Sequence, residues 1–190
     1  MKFDLQKHHR RSIRLKEYDY TQPGGYFVTV VTHHRDCLFG KIVNKEMQLN
    51  DYGKIANECW RALPEHFSNV ELGAYVVMPN HVHGIIVINE NRSAMNSSPT
   101  VGAQHAAPLL QIPNVKPGSL GAIVRSYKSA VTRRIGRELN AATIWQRNYY
   151  EHVIRNHEDW DRIHRYIESN PSRWAEDQEN PSPSSSERRT

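Results

Sequence analysis

A chain of 190 residues and 22.0 kDa, 38% hydrophobic and 24% charged, has the size of one domain with a sizeable core. The net charge of +5 and pI of about 9.3 favour a polyanionic partner, nucleic acid first among them. Two cysteines, Cys37 and Cys59, stand in no Cys-x-x-Cys pair, which excludes a zinc ribbon or a disulfide framework and suits a reducing cytosol. The first ten residues lack the apolar stretch of a signal peptide, and no apolar run reaches membrane-spanning length, so a cytoplasmic protein with no membrane partner is expected.

Residues 1–24 are polar and basic, with Lys7, Arg10, Arg11, Arg14 and Lys16 crowded together. This is a solvated tail or an arm that lies on a phosphate backbone; the interleaved Ile13, Leu15, Tyr18 and Tyr20 could dock or stack. A turn at Gln22 to Gly25 leads into Tyr26 to Thr32, whose β-branched and aromatic residues predict a buried strand. Two short strands follow, 38–43 and 46–49, as a small hairpin. Asn50 has the chemistry of an N-cap, and Tyr52, Ile55, Ala56, Cys59, Trp60 and Leu63 recur at helical spacing, predicting an amphipathic helix over 51–63 that Pro64 ends.

Val70 to Val77 is the next strand. Pro79-Asn80 then makes a tight turn into an apolar run that opens with His81-Val82-His83. Strand alternation points His81 and His83 to one face and Val82, Ile86 and Ile88 to the other, with Gly84 leaving room beside the pair. Side-by-side imidazoles on a strand are either solvent-facing or half of a metal site. Residues 89–117 lose periodicity and are expected to form a flexible insertion. Gly118-Ser119 opens a second helix with the apolar stripe Leu120, Ile123, Val124, Tyr127, Val131 and Ile135. Arg125, Lys128 and Arg133 lie off that stripe, as a solvated flank or as phosphate contacts. Ile144 to Ile154 reads as a strand. Asn156 caps a last helix, with Trp160, Ile163 and Ile167 inward, that stops before Pro171; Pro171 biases Asn170 away from helical dihedrals. Residues 174–190 are expected to be a disordered tail. The order β-α-β-β-α-β, followed by one more helix, is that of an α+β ferredoxin-like sandwich over residues 25–173.

Tyr166 and Asn170 share a face of the last helix, with Arg162 one turn earlier. Tyr166 is a packed core residue or a nucleophile, and a phenol of ordinary pKa near 10 then needs a metal or a base to activate it.

Pro79-Asn80-His81-Val82-His83 resembles the His-hydrophobic-His motif of the HUH endonuclease superfamily. Tyr166-Ile167-Glu168-Ser169-Asn170-Pro171 resembles the Tyr-Ile-x-x-Asn-Pro segment of its single-tyrosine transposase branch. Trp145-Gln146, Tyr150-Glu151-His152 and Ile154-Arg155-Asn156 are similar to the segment before the tyrosine in REP-associated tyrosine transposases. The resemblance covers roughly residues 12–173 and implies a set of roles. His81, His83 and Asn170 would hold a divalent metal, Mg²⁺ or Mn²⁺, and Tyr166 would attack a phosphodiester to give a 5′-phosphotyrosine and a free 3′-hydroxyl. The substrate implied is single-stranded DNA folded into a repeat hairpin. Arg10, Arg11, Arg14, Arg125, Lys128 and Arg133 are then candidates for phosphate contacts, Lys128 foremost, and His152 is either a partner of the metal ligands or a merely hydrogen-bonded strand histidine. Two imidazoles and an amide suit a hard ion poorly, so phosphate oxygens would complete the shell. A repeat-hairpin binding module without turnover and a metal-dependent hydrolase using water are the alternatives. Monomer and homodimer both occur among relatives, and neither is selected by these residues.

Overall fold

Strand alternation on one apolar segment decides the layering. In the computed structural model, which describes residues 18–90, 116–139 and 143–181, four antiparallel strands form the main sheet in the order β4-β5-β1-β6. They are β1 (Gly24–Val31), β4 (Val70–Val77), β5 (His81–Ile88) and β6 (Tyr150–Ile154). Between β1 and β4 lie a separate hairpin, β2 (Gly40–Val43) and β3 (Glu46–Leu49), the helix α1 (Asp51–Arg61) and the short helix α2 (Leu63–His66). Helix α3 (Leu120–Leu139) joins β5 to β6, and α4 (His157–Ser169) follows β6. This is the α+β ferredoxin-like arrangement expected, with the extra C-terminal helix.

Val82, Ile86 and Ile88 of β5 and Tyr26, Val28 and Val30 of β1 face one way. They pack on Trp60 and Leu63 and on the predicted α3 stripe, Leu120, Ile123, Val124, Tyr127, Val131 and Ile135, all buried. Phe27 and Ile85 face the other way and meet Ile163 and Ile167 of α4. So α1 and α3 cover one face and α4 the other. The caps are as expected: Asn50 Oδ1 accepts from the Gly53 amide at 2.9 Å and Asn156 Oδ1 from the Asp159 amide at 2.8 Å. Asn44 and Lys45, at φ 51° and 67°, form the two-residue turn of the hairpin.

Several expectations change. The helix over 51–63 breaks at Ala62 because Pro64 cannot continue its hydrogen bonds, and the chain restarts as α2. The strand expected from Ile144 begins only at Tyr150. Trp145 makes an isolated bridge to Thr32, and Asn148 is left-handed at φ 64°, so the chain between them cannot stay extended. Asn170 keeps helical dihedrals, φ −58° and ψ −45°, despite Pro171, since that proline begins a 3-10 helix, Pro171–Glu176. Residues 174–181, expected as the start of a disordered tail, thus continue the fold, held by bonds such as the Asn180 side-chain amide to the Trp174 carbonyl at 2.9 Å. The arm over residues 1–17 and the bulk of the 89–117 insertion (91–115) lie outside the described residues.

Gly84 does not leave room beside the histidines. It lies on the opposite face, where an added Cβ would stand 2.3 Å from Cζ2 of the buried Trp60. Gly84→Ala is therefore expected to destabilise the domain by about 1–3 kcal/mol through overpacking, seen as a lower urea midpoint at unchanged slope. An unchanged midpoint would mean that the indole moves without cost.

Candidate metal and tyrosine site

The register of β1 fixes the floor of the site. His81 lies opposite Val31; His83 lies opposite Thr29, itself opposite Tyr150; Phe27 lies between Ile85 and His152. Alternation puts all of these on the face that α4 covers. His81 and His83 are both buried, 0% and 3% exposed, with ring centroids 4.3 Å apart. An imidazole so placed needs partners for its ring nitrogens.

For His81 those partners define the tautomer. Asn80 Nδ2 donates to two backbone carbonyls, of Arg35 at 3.0 Å and of Glu179 at 2.7 Å, so the orientation of the amide is fixed. Its Oδ1 then accepts from His81 Nδ1 at 2.9 Å. The proton sits on Nδ1, and Nε2 carries a lone pair. That Nε2 is buried and has no hydrogen-bond partner among the described residues. His34 and Arg35, left-handed at φ 55° and 61°, shape the loop whose carbonyl meets Asn80. His83 Nδ1 bonds Thr29 Oγ1 at 2.9 Å, and its Nε2 bonds the Tyr166 hydroxyl at 3.2 Å. Tyr166 also packs edge-on to Phe27, ring centroids 6.0 Å apart.

The segment after α4 closes the cluster. Asn170, at 3% exposure, donates from Nδ2 to Asp177 Oδ2 at 3.0 Å, while its Oδ1 is buried without a partner among the described residues. Asp177 Oδ2 lies 4.0 Å from His81 Nε2, and Oδ1 accepts from the Glu179 amide at 2.7 Å. One ligand atom each from His81, His83 and Asp177 falls within 4.8 Å of the others. Two unpartnered lone pairs, His81 Nε2 and Asn170 Oδ1, beside a buried carboxylate fit a divalent cation: each acceptor would gain the partner that burial denies it.

Burial pulls His81 down to about 4, the Asp177 carboxylate opposing it by less, and pulls His83 well below its ordinary value, the neighbouring His81 adding to the effect. Both imidazoles are therefore neutral ligands at physiological pH. Burial raises the Tyr166 phenol, and the Asp177 charge adds to the rise.

The structure thus brings His81, His83, Tyr166 and Asn170 together. Arg125 and Arg133 stand exposed on α3, across the sheet from the cluster. Lys128, foremost among the candidates for phosphate contacts, donates its ammonium to the Gln146 carbonyl at 2.6 Å and the Asn148 carbonyl at 2.8 Å, holding the loop before β6, and burial pulls it down to about 8. His152 bonds Asp159, Nε2 to Oδ2 at 2.7 Å, and is no partner of the metal-ligand candidates. Arg10, Arg11 and Arg14 lie outside the described residues. Asp177 and the bracing role of Asn80 escaped sequence reasoning. The available signal was Trp174, an aromatic in a Ser/Pro/Glu-rich tail, whose ring lies 6.0 Å from that of His81.

Fold and site together define an α+β domain with a paired-histidine cluster and a helix-borne tyrosine. No family model matches the chain. A protein of Haemophilus influenzae (strain ATCC 51907 / DSM 11121 / KW20 / Rd), described as uncharacterized, is 41% identical over 177 residues, covering 93% of this chain and 96% of that protein. The chain belongs to one family with it. Among solved structures, a REP-associated tyrosine transposase bound to a REP hairpin matches with a TM-score of 0.58 at 20% identity, over 86% of this chain and 74% of that one. The chain shares the fold of that transposase. No helix among the described residues is long and apolar enough to cross a membrane.

Removing the brace at Asn80 should loosen the cluster. Asn80→Ala is expected to weaken Mn²⁺ binding by about 10- to 100-fold, by calorimetric titration of protein whose circular dichroism is unchanged; equal affinity would show that His81 is held without it. The sign of the pH effect follows from neutral burial. Below the ordinary histidine value of 6.5 the unfolded chain takes up protons that the folded imidazoles refuse. The metal-free protein should therefore lose stability as pH falls from 6.5 towards about 4, with a falling Tm and a shallower fall in His81→Gln. Equal slopes in the two proteins would contradict this.

Proposed function

We propose that this chain is a metal-dependent single-stranded DNA endonuclease and strand transferase of the REP-associated tyrosine transposase type, acting in the cytoplasm on repeat hairpins through a 5′-phosphotyrosine intermediate. The observation that carries the reading is the Tyr166 hydroxyl, 3.2 Å from His83 Nε2, within a cluster able to hold a metal. The fold shared with a transposase bound to a REP hairpin supports it.

His81, His83 and Asn170, with Asp177 beside them, would hold Mg²⁺ or Mn²⁺, which when bound supplies Lewis acidity toward the non-bridging oxygens of the scissile phosphate. The protein's own part is to place the phenol. Tyr166 rides on α4, and Ile163 and Ile167 pin that helix to Phe27 and Ile85. Its hydroxyl oxygen attacks phosphorus and gives up its proton, the P–O3′ bond breaks, and the departing 3′ oxygen takes a proton. One phosphodiester replaces another, so the bond energy is kept and the reverse step rejoins strands without ATP.

The test incubates the full chain and Tyr166→Phe with Mn²⁺ and a single-stranded oligonucleotide carrying a host repeat hairpin with its flanks. A covalent protein–DNA band is expected on a denaturing gel with the wild-type chain. It should fall below detection in Tyr166→Phe and with a chelator. Cleavage that persists in Tyr166→Phe would sink the reading in favour of a metal-activated water.

A further inference from the structure

A cleft of about 890 Å³ opens beside the tyrosine, and its two walls differ in charge. One wall, from the segment after α4, carries Glu176, Asp177 and Glu179 with Arg173; Glu176 is paired with Arg173 at 3.0 Å and Glu179 with Arg35 at 2.8 Å. The other, from β6 and the outer face of α4, carries Tyr150, His152, Arg162 and Arg165. Tyr166 and His83 lie in the same cleft.

The second wall is organised. Asp159 forks between two donors: Oδ2 accepts from His152 Nε2 at 2.7 Å and Oδ1 accepts from the Arg162 guanidinium. His152 therefore keeps its proton on Nε2 with Nδ1 uncommitted among the described residues, and Arg162 spends one of its five donors on the carboxylate. His152 stands one strand from Phe27, about 4.8 Å across the sheet. Phe27 in turn stacks on His83, ring centroids 5.3 Å apart. Next to His152 on this face, two residues before it on β6, Tyr150 is 53% exposed, one of two large hydrophobic side chains so open among the described residues; the other is Tyr166. Arg165 is exposed and has no ion-pair partner among the described residues.

We propose that Tyr150, His152 and Arg162 form a nucleotide seat for single-stranded DNA next to the cleavage point, with the phosphate held by Arg162 and the base stacked on Tyr150 beside the ring of His152. The strand then runs along the β6 and α4 wall and away from Glu176 and Glu179. The proposal rests on the nicking reading above and adds the path of the strand. A guanidinium with free donors suits a phosphate, and an open phenol ring stacks on any base. Asp159 is a positioning residue, since it meets His152 and Arg162 and not the DNA.

The seat makes sequence-independent contacts, so the probe is a fluorescent oligothymidine of about 12 nucleotides, titrated with the full chain and a chelator at several salt concentrations. Tyr150→Ala, His152→Ala and Arg162→Ala are each expected to weaken binding on the order of 5-fold, and Arg162→Ala to lower the salt slope by about one. Arg61→Ala, an exposed arginine on α1 across the sheet, and Glu176→Gln on the acidic wall should not weaken it. Asp159→Asn should weaken binding less than Arg162→Ala, and its melting temperature separates loosened fold from lost contact. The same variants go into the adduct assay. Wild-type affinity in all three seat variants, with a Tyr166-dependent adduct still forming, overturns the seat and leaves the enzyme reading standing. Losses in Arg61→Ala equal to those in Arg162→Ala also overturn it, since they indicate charge without a path. Weakened binding in the seat variants with no adduct from the wild type supports the seat and removes the enzyme. No binding of oligothymidine by the wild type overturns the seat, and the adduct assay on the repeat hairpin decides the enzyme reading separately.

Discussion

Two imidazoles are buried side by side on an inner strand of an otherwise apolar sheet, and the chain around them is arranged to satisfy their nitrogens. β5 lies between β4 and β1, so neither histidine can rotate into water. Each unpartnered ring nitrogen there would cost on the order of 1–3 kcal/mol. The nearest solutions are local. Thr29, directly opposite His83 in the register, supplies one partner, and Asn80, at the turn before β5, supplies another. Asn80 can do so only because Arg35 and Glu179 offer it two carbonyls, so loops from both ends of the described chain meet at a single amide. The nitrogen left over, His81 Nε2, is the one the fold does not satisfy, and it faces the acidic group that the C-terminal segment brings in.

The two faces of the sheet divide the work. The face under α1 and α3 is filled by large apolar groups down to the contact of Trp60 with Gly84, and it has no room to change. The face under α4 holds a far smaller buried cluster, Phe27, Ile85, Ile163 and Ile167. One helix cannot cover four strands, so part of this face stays open as the cleft. Stability and chemistry are thereby placed on opposite sides of one sheet, and the tight side holds the histidine strand rigid for the loose side.

The fold was largely legible because its elements carry strong local signals: the caps at Asn50 and Asn156, the stripe on α3, and the apolar run of β5 all lie where the sequence puts them. The late start of β6 was not legible, since it is set by tertiary partners, with Lys128 reaching carbonyls 18 and 20 residues away. In the site, the His81–His83 pair and the Tyr166–Asn170 pair could be read as pairs because strand and helix geometry fix which side chains share a face. Their meeting could not be read from spacing. It depends on which sheet face α4 covers, and that follows from Ile163 and Ile167 finding Phe27 and Ile85. Asp177 was hidden for a different reason: its surroundings have the composition of a tail, and a few specific bonds to Asn170 and Trp174 outweigh that composition.

The cluster therefore has two sources of unlike rigidity. His81 and His83 come from the centre of the sheet. Tyr166, Asn170 and Asp177 all come from one continuous stretch, α4 and the turn after it, at a surface where the helix is anchored by only a few apolar contacts. Any shift of α4 along the sheet moves the phenol, the amide and the carboxylate together against a fixed imidazole pair. On the reading proposed above, the imidazole pair stays in place on the sheet while the phenol, with Asn170 and Asp177, is carried by α4 and the turn after it.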